Sequence, residues 1–283
     1  MYVKAQYCRN AGLGNKLFPW ARAIVIADKY NLKMIDPIWF SPRGASIIRG
    51  GINYKKALKK IWLFDNFQMR KNDISYCRSI VLKGNSFEIV NDLEDAFQIL
   101  DSTKNMNLCF KWNSCHNFSD LYEYRSKIYE NLIKITKNES LKYLKKYEAK
   151  KYIGLNIRTG LDFVKINSQK NGYYLTDIEW FIMALKAVRE KVGDLPAIVV
   201  SDGGVKELGK ILAQPNIELL NSQNAIEDLL VLSNSDILLG SGNSTFSAWA
   251  SFLGGMNTYS SSDTPFSHFK IAGINSEQII GTL

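Results

Sequence analysis

At 283 residues, 46% of them hydrophobic, the chain is long enough for one large domain or for two of about 140 residues, each with its own core. No stretch approaches the roughly 20 apolar residues of a membrane span, and the opening Met1–Cys8 lacks the apolar core of a signal peptide, so a cytoplasmic location is expected. The net charge of +9 is uneven: residues 1–150 carry 26 Lys and Arg against 14 Asp and Glu, a net of +12, whereas residues 151–283 carry 10 against 13, a net of −3. Such asymmetry points to an acidic partner for the first half, either a membrane surface, a pyrophosphate-bearing lipid, a charged polymer or nucleic acid. The plainer alternative is a solvated basic surface. The run Lys55 to Lys60, four lysines around Ala57 and Leu58, suits a basic helix lying on something. Four cysteines form no CxxC pair, which argues against a zinc ribbon or a disulfide framework. Cys115-His116 beside Cys109 is a weak metal candidate, and no metal is expected.

In chain order, a strand over 2–8 leads into Ala11-Gly12-Leu13-Gly14-Asn15 and then a helix over 16–31, with Leu17, Trp20, Ala21, Ile24 and Ala27 on one face. Strand, glycine turn, helix is how an α/β domain begins. The stretch 36–120 reads as aromatic-rich and irregular, with short strands at 80–82, 87–90 and 108–112. A long amphipathic helix over 121–150 is predicted to connect the halves. The pattern then becomes regular: a strand at 152–157, a capping signal Thr176-Asp177-Ile178-Glu179 opening a helix to about 191, and a strand at 197–200. A helix near 204–213, a strand at 217–220, a helix at 225–233, a strand at 236–239 and a helix at 245–253 follow. Alternating short apolar strands and helices predict a parallel, doubly wound sheet. The expected domains are 1–148 and 149–283.

Ligands of such sheets bind beyond the carboxyl ends of the strands. The residues predicted there are polar and suit a sugar nucleotide: Asn156, Arg158 and Thr159 after one strand, Ser201 and Asp202 after the next, and Ser241 to Thr245 after the last. The loop Ser241-Gly242-Asn243-Ser244-Thr245 holds more hydroxyls than a helix cap needs, and a helix N-terminus favours phosphate. Arg158 would add the fixed charge that a diphosphate demands. Each has a plainer reading: Arg158 as an ion-pair partner, Asp202 as an N-cap, Asp228 as a cap or a solvent-facing side chain. Gly12-Leu13-Gly14 lacks the third glycine of a dinucleotide fingerprint.

Four blocks resemble bacterial and animal α-1,2-fucosyltransferases. Gly12 to Phe18, "GLGNKLF", is similar to their GLGNQ start, and "IGLNIRTGLD" (153–162) to their HxRxGD motif. "VVSDGG" (199–204) resembles their strand ending in Ser-Asp, and the run from Asp228 to Gly255 resembles their closing Ser-Asn-Ser-Ser-Phe-Ser block. This chain departs in having Asn156 for His, Lys16 for Gln, and Leu161 between Gly160 and Asp162. The resemblance implies a GT-B fold, two Rossmann-like domains with parallel sheets facing a cleft, the second holding GDP-fucose and the first the acceptor. It also implies Arg158 on the diphosphate, Asp228 on the guanine or ribose, and Ser244, Thr245 and Phe246 lining the donor pocket. Gly14 and Asn15 would stand near the diphosphate or the transferring sugar.

The expected function is therefore metal-independent transfer of fucose from GDP-fucose, with inversion, to a surface-glycan or lipid-linked acceptor, as in O-antigen or capsule synthesis, with possible peripheral contact of the basic half with the anionic inner membrane face. Asp162 and Asp202 are candidate bases. Alternatives are a transferase using another nucleotide sugar and a sugar-nucleotide-binding protein without turnover. A nucleic-acid binder is disfavoured: the aromatics Trp62, Phe64, Phe67, Tyr76, Phe110 and Trp112 stand among scattered positives, but no RNA-binding motif is present.

Overall fold

In the computed structural model, residues 1–7, 11–37, 39, 66–80, 86–103, 106–111, 118–159, 176–222, 224–242 and 244–261 are described, and the chain forms two α/β units, Met1–Ser140 and Leu141–Leu283. In the first unit β1 (Tyr2–Gln6) is central. It pairs in parallel with β2 (Lys33–Ile35) on one side and with β4 (Leu108–Lys111) on the other, and β3 (Glu88–Val90) lies beyond β4. Helix α1 (Leu13–Lys29) connects β1 to β2. The predicted face of α1 is buried, but so are Ala23, Val25, Ile26 and Arg22 on its other sides. Arg22 can be enclosed because its guanidinium meets Asp120 in a two-pronged pair, Nε to Oδ2 at 2.7 Å and Nη2 to Oδ1 at 3.0 Å. A paired, fully bonded guanidinium is the form in which such a charge tolerates burial.

The stretch expected to be irregular holds more order than its pattern suggests. Ile80, predicted in a strand, ends a short helix, α2 (Tyr76–Ile80). Helix α3 (Leu93–Ser102) escaped prediction, although Asp92 caps it by accepting from the Asp95 N–H, and Leu93, Ala96 and Leu100 bury one stripe. The predicted helix over 121–150 is broken. Helix α4 (Arg125–Ile135) stops at Thr136, which turns extended (φ −80°, ψ 128°), donates its Oγ1 to the Leu132 carbonyl at 2.7 Å and bridges Phe67. After a 3-10 turn over Asn138–Leu141 the chain re-enters helix as α5 (Lys142–Tyr147), so the division between the units falls within that turn. The apolar spacing survives the break, which is why periodicity alone missed it.

The second unit follows the predicted alternation closely. Its strands are β5 (Ile153–Ile157), β6 (Ala197–Ser201), β7 (Ile217–Leu219), β8 (Ile237–Gly240) and β9 (Asn257–Tyr259), all parallel in the order β7-β6-β5-β8-β9. The polar three-residue β9 carries no pattern of its own and was not predicted. The helices are α6 (Ile178–Val192), α7 (Val205–Leu212), α8 (Ala225–Ser233) and α9 (Thr245–Gly254). Asp177, within the predicted capping signal, caps α6 by accepting from the Glu179 N–H.

Every residue of β5 is buried, as a parallel strand covered on both faces must be. Ile153, Leu155 and Ile157 join Phe181, Leu185, Val188, Leu208 and Ile211 of α6 and α7 in one core. Period-2 alternation turns Gly154 and Asn156 to the opposite face, where the Ser235 hydroxyl and Leu232 leave Gly154 no room for a side chain.

Candidate functional site

From β5 the chain adds β6 and β7 on one side, then returns to add β8 and β9 on the other. The order therefore reverses between β5 and β8, and at their carboxyl ends the following loops part and leave room for a ligand. Asn156, Arg158, Thr159 and the segment from Ser241 into α9 meet at this point.

Part of the set is internal scaffolding. Asn156 is 2% exposed, and its amide donates to the Ser247 hydroxyl at 2.6 Å and to the Ser244 hydroxyl at 3.4 Å. Ser241 is fully buried; its hydroxyl accepts from the Arg158 backbone N–H at 2.9 Å, and its own N–H donates to the Asn156 carbonyl at 2.9 Å. Ser244 is the N-cap of α9, accepting from the Ser247 N–H. Asn156 thus bolts the end of β5 to the first turn of α9, a task that needs an amide donor at a buried position. Two further struts had no sequence signal because their partners are far away in the chain: Ser247, and Thr176, whose hydroxyl accepts from the Gly242 N–H at 3.3 Å.

The remainder faces outward. Arg158 is partly exposed, and its Nη2 lies 3.5 Å from Asp202 Oδ2. Asp202 also accepts from the Thr159 N–H at 2.8 Å, while the N-cap of α7 is Gly204, so the capping alternative for Asp202 does not hold. Gly203 is required beside Thr159, since a Cβ there would sit 2.3 Å from the Thr159 hydroxyl. Thr245 and Phe246, in the first turn of α9, are partly exposed. Their N–H groups have no acceptor within the helix, and the dipole adds about half a positive charge at that end. A guanidinium and an open helix N-terminus therefore serve one ridge, an arrangement suited to an anion with several oxygens.

Asp228 is buried in the first turn of α8, where Asn224 is the cap, so it neither caps nor faces solvent; the Ser222 hydroxyl donates to its carboxylate. In the first unit Gly14 is buried in the opening turn of α1, and the buried side-chain oxygen of Asn15 has no hydrogen-bond partner among the described residues. Asp162, Asn243, Cys115, His116, Trp62, Phe64, Trp112 and the lysine run at 55–60 lie outside the described residues. Phe67 and Phe110 are buried and offer no stacking surface, whereas Tyr76 is exposed. Among the described residues no three His, Cys, Asp or Glu side chains gather as a metal-holding group, and no helix is long and apolar enough to cross a membrane. A cavity of about 300 Å³, lined by Tyr147, Tyr152, Asn216 and Glu218 among others, opens at the amino ends of β6 and β7, the opposite edge of the sheet from Arg158.

Residues 66–270, well over half of the chain, match the model of glycosyl transferase family 11. Among solved structures, the chain is similar to fucosyltransferase NodZ from Bradyrhizobium at a TM-score of 0.54 and 13% identity, with 88% of this chain and 92% of that one covered. It is similar to NodZ α-1,6-fucosyltransferase soaked with GDP-fucose at 0.52 and 12%, covering 89% and 92%. It is also similar to POFUT1 in complex with GDP at 0.52 and 10%, covering 89% and 94%. No curated protein matches it. The α/β architecture with two parallel sheets is the one these structures share, and it agrees with the GT-B class that the sequence blocks implied.

Proposed function

The chain belongs to glycosyl transferase family 11, and from that premise we propose that it moves fucose from GDP-fucose, with inversion and without a metal ion, to a hydroxyl of a glycan acceptor. The donor is assigned to residues 149–283 and the acceptor to residues 1–148. The observation that carries this reading is the convergence of Arg158 with the open first turn of α9 at the reversal point between β5 and β8. The guanidinium and the Thr245 and Phe246 N–H groups bind the diphosphate, and Asp202 holds Arg158 in place. Asp228 reads the guanine or ribose. As the bond from C1 of fucose to the β-phosphate oxygen breaks, negative charge grows on GDP. A fixed cation and preorganised backbone donors stabilise that charge more in the transition state than in the ground state. The complexes of POFUT1 with GDP and of NodZ with GDP-fucose support the choice of nucleotide. Roles for Asp162 and Asn243 rest on the sequence blocks alone.

The +12 balance of residues 1–150 supports an acceptor at an anionic surface. A lipid-linked, growing surface polysaccharide of the O-antigen or capsule kind, met at the inner membrane face, has that chemistry. Thermal unfolding with GDP, GDP-fucose, UDP and UDP-sugars, each in excess chelator, tests the reading. A ligand at a hundred times its Kd adds about 2.7 kcal/mol, so GDP and GDP-fucose should raise Tm measurably. Stabilisation by UDP and not by GDP would refute the donor.

A further inference from the structure

Where the chain leaves the edge of the first unit's sheet it forms a helix that buries none of its own residues. Ile74 bridges Ile35 of β2 in parallel; its N–H donates to the Met34 carbonyl at 2.9 Å, and its carbonyl accepts from the Asp36 N–H at 2.8 Å. Arg70 pins the approach through Asp73 (Nε to Oδ2 at 2.8 Å) and Asp28 (Nη1 to Oδ1 at 2.6 Å). Because the bridge is parallel, α2 starts at the carboxyl end of β2, the end at which sheets of this class meet their ligands. The Ser75 hydroxyl accepts from the Arg78 N–H at 3.3 Å and holds the first turn. None of the five residues of α2 is buried.

So short a helix is not stable in water by itself, and in proteins such helices are held by burying a face. The exposed arc of α2 is apolar at its centre. Tyr76 and Ile80, four positions apart and therefore on one face, are 46% and 64% exposed, and Cys77 beside them is exposed as well. Ser79, only half-exposed, marks the side turned toward the protein. Arg78 follows Cys77 round the helix at the border of the apolar arc, and Lys71 is exposed in the turn before Asp73. Among the described residues neither cation meets a carboxylate, and Asp73, the one acidic residue of 66–80, is taken by Arg70. The surface is therefore apolar and cationic at once.

We propose that α2 is a membrane-docking element: Tyr76 and Ile80 enter the interfacial region of a bilayer, and Arg78 and Lys71 bind the phosphates of its anionic lipids. The assignment rests on the anionic surface of the function proposed above and adds the side chains that touch it; it makes no use of the donor. An aromatic ring, an aliphatic side chain and long cationic side chains at the border of one arc are the composition of an interfacial helix. The +12 balance of residues 1–150 gives this half the matching sign. A second copy of the chain fits less well, because a two-fold contact through α2 brings like charges together. A nucleic acid also fits less well, because Ile80 offers no ring on which a base can stack.

The test is sedimentation of the full chain with vesicles of phosphatidylcholine, alone and mixed with phosphatidylglycerol, at low and high salt. The wild type should sediment with the mixed vesicles only and be released by salt. Ile80→Ser should weaken that binding about tenfold. Lys71→Glu with Arg78→Glu should weaken it at least about 25-fold, about fivefold for each cation lost. These side chains are exposed, so each variant should keep the wild-type Tm and the wild-type response to GDP. A wild type that binds mixed vesicles while these variants bind equally well overturns the assignment to α2 and leaves the anionic surface standing. A wild type that binds both kinds of vesicle alike, or neither, overturns both and leaves the donor reading untouched. A wild-type dimer that Ile80→Ser splits gives α2 to a second copy, and oligonucleotide binding that the charge reversals abolish, without vesicle binding, gives it to nucleic acid; either result overturns the proposal.

Discussion

Arg158→Ala should separate turnover from stability. The ion pair to Asp202 spans 3.5 Å between side chains 22% and 24% exposed, and a pair so open to water is worth about 0–1 kcal/mol. The Arg158 N–H bond to Ser241 belongs to the backbone and survives the substitution. Tm should therefore fall by no more than about 2–4 °C, the shift that 1 kcal/mol produces in a domain of this size. Turnover should fall much further. Removing one preorganised donor from a developing oxyanion costs about 2.7–4 kcal/mol, or 10²–10³ in kcat. Lys restores a point charge without the two-pronged fork, so Arg158→Lys should recover only part of the rate. GDP release under saturating donor gives kcat, calorimetric titration gives the GDP Kd, and a thermal scan checks the fold. A folded Arg158→Ala protein whose turnover stays within about threefold of wild type would show that no transition-state interaction runs through this side chain.

Asn156→Leu removes the amide donations to Ser247 and Ser244; it should cost about 1–3 kcal/mol in denaturant titrations and raise the GDP Kd by loosening the first turn of α9. Unchanged values in both measurements would show that the bolt is dispensable. Asp120→Ala strands the buried Arg22 guanidinium and frees the Leu93 N–H at the start of α3; a loss of about 3–5 kcal/mol is expected, against little change if water replaces the carboxylate. For Asp36 the sign is the reverse of a salt-bridged acid. Its carboxyl is raised from 3.8 to about 6, so the folded state binds this proton more tightly than the unfolded state. That contribution is fully present below about pH 4 and is lost as pH rises through 6. Asp36→Asn should thus be more stable than wild type at pH 8, by about 1–2 kcal/mol after allowance for partial exposure, and the gain should vanish near pH 4. Equal Tm differences at both pH values would refute the shift.

Short-range signals sufficed where the chain's own pattern decides the outcome. The alternation of β5 to α9 and the placing of Arg158, Asp202 and Ser241 at strand ends follow from periodicity, caps and the parallel-sheet rule, because each is set by residues within a few positions. The same signals failed at Thr136, where pairing with Phe67, 69 positions earlier, ends a helix whose apolar spacing continues. They failed also at β9, whose three residues become a strand only because β8 offers an edge. Within the site, residue type identified the polar set but not its division of labour. Asn156 and Ser241 read as ligand contacts, yet strand parity and the packing of α9 turn them inward, leaving Arg158, Thr245 and Phe246 facing out. Asp36 carried no signal at all, since its chemistry comes from Tyr7, 29 positions before it, and Asp73, 37 after it. The sequence by itself determined the elements and the edge of the sheet where chemistry can occur, because hydrogen bonding along the chain and side-chain period are local. Only the tertiary structure decided which of those side chains are struts and which carboxyl is pushed up by burial, because burial and charge neighbourhood are set by segments far apart in the chain.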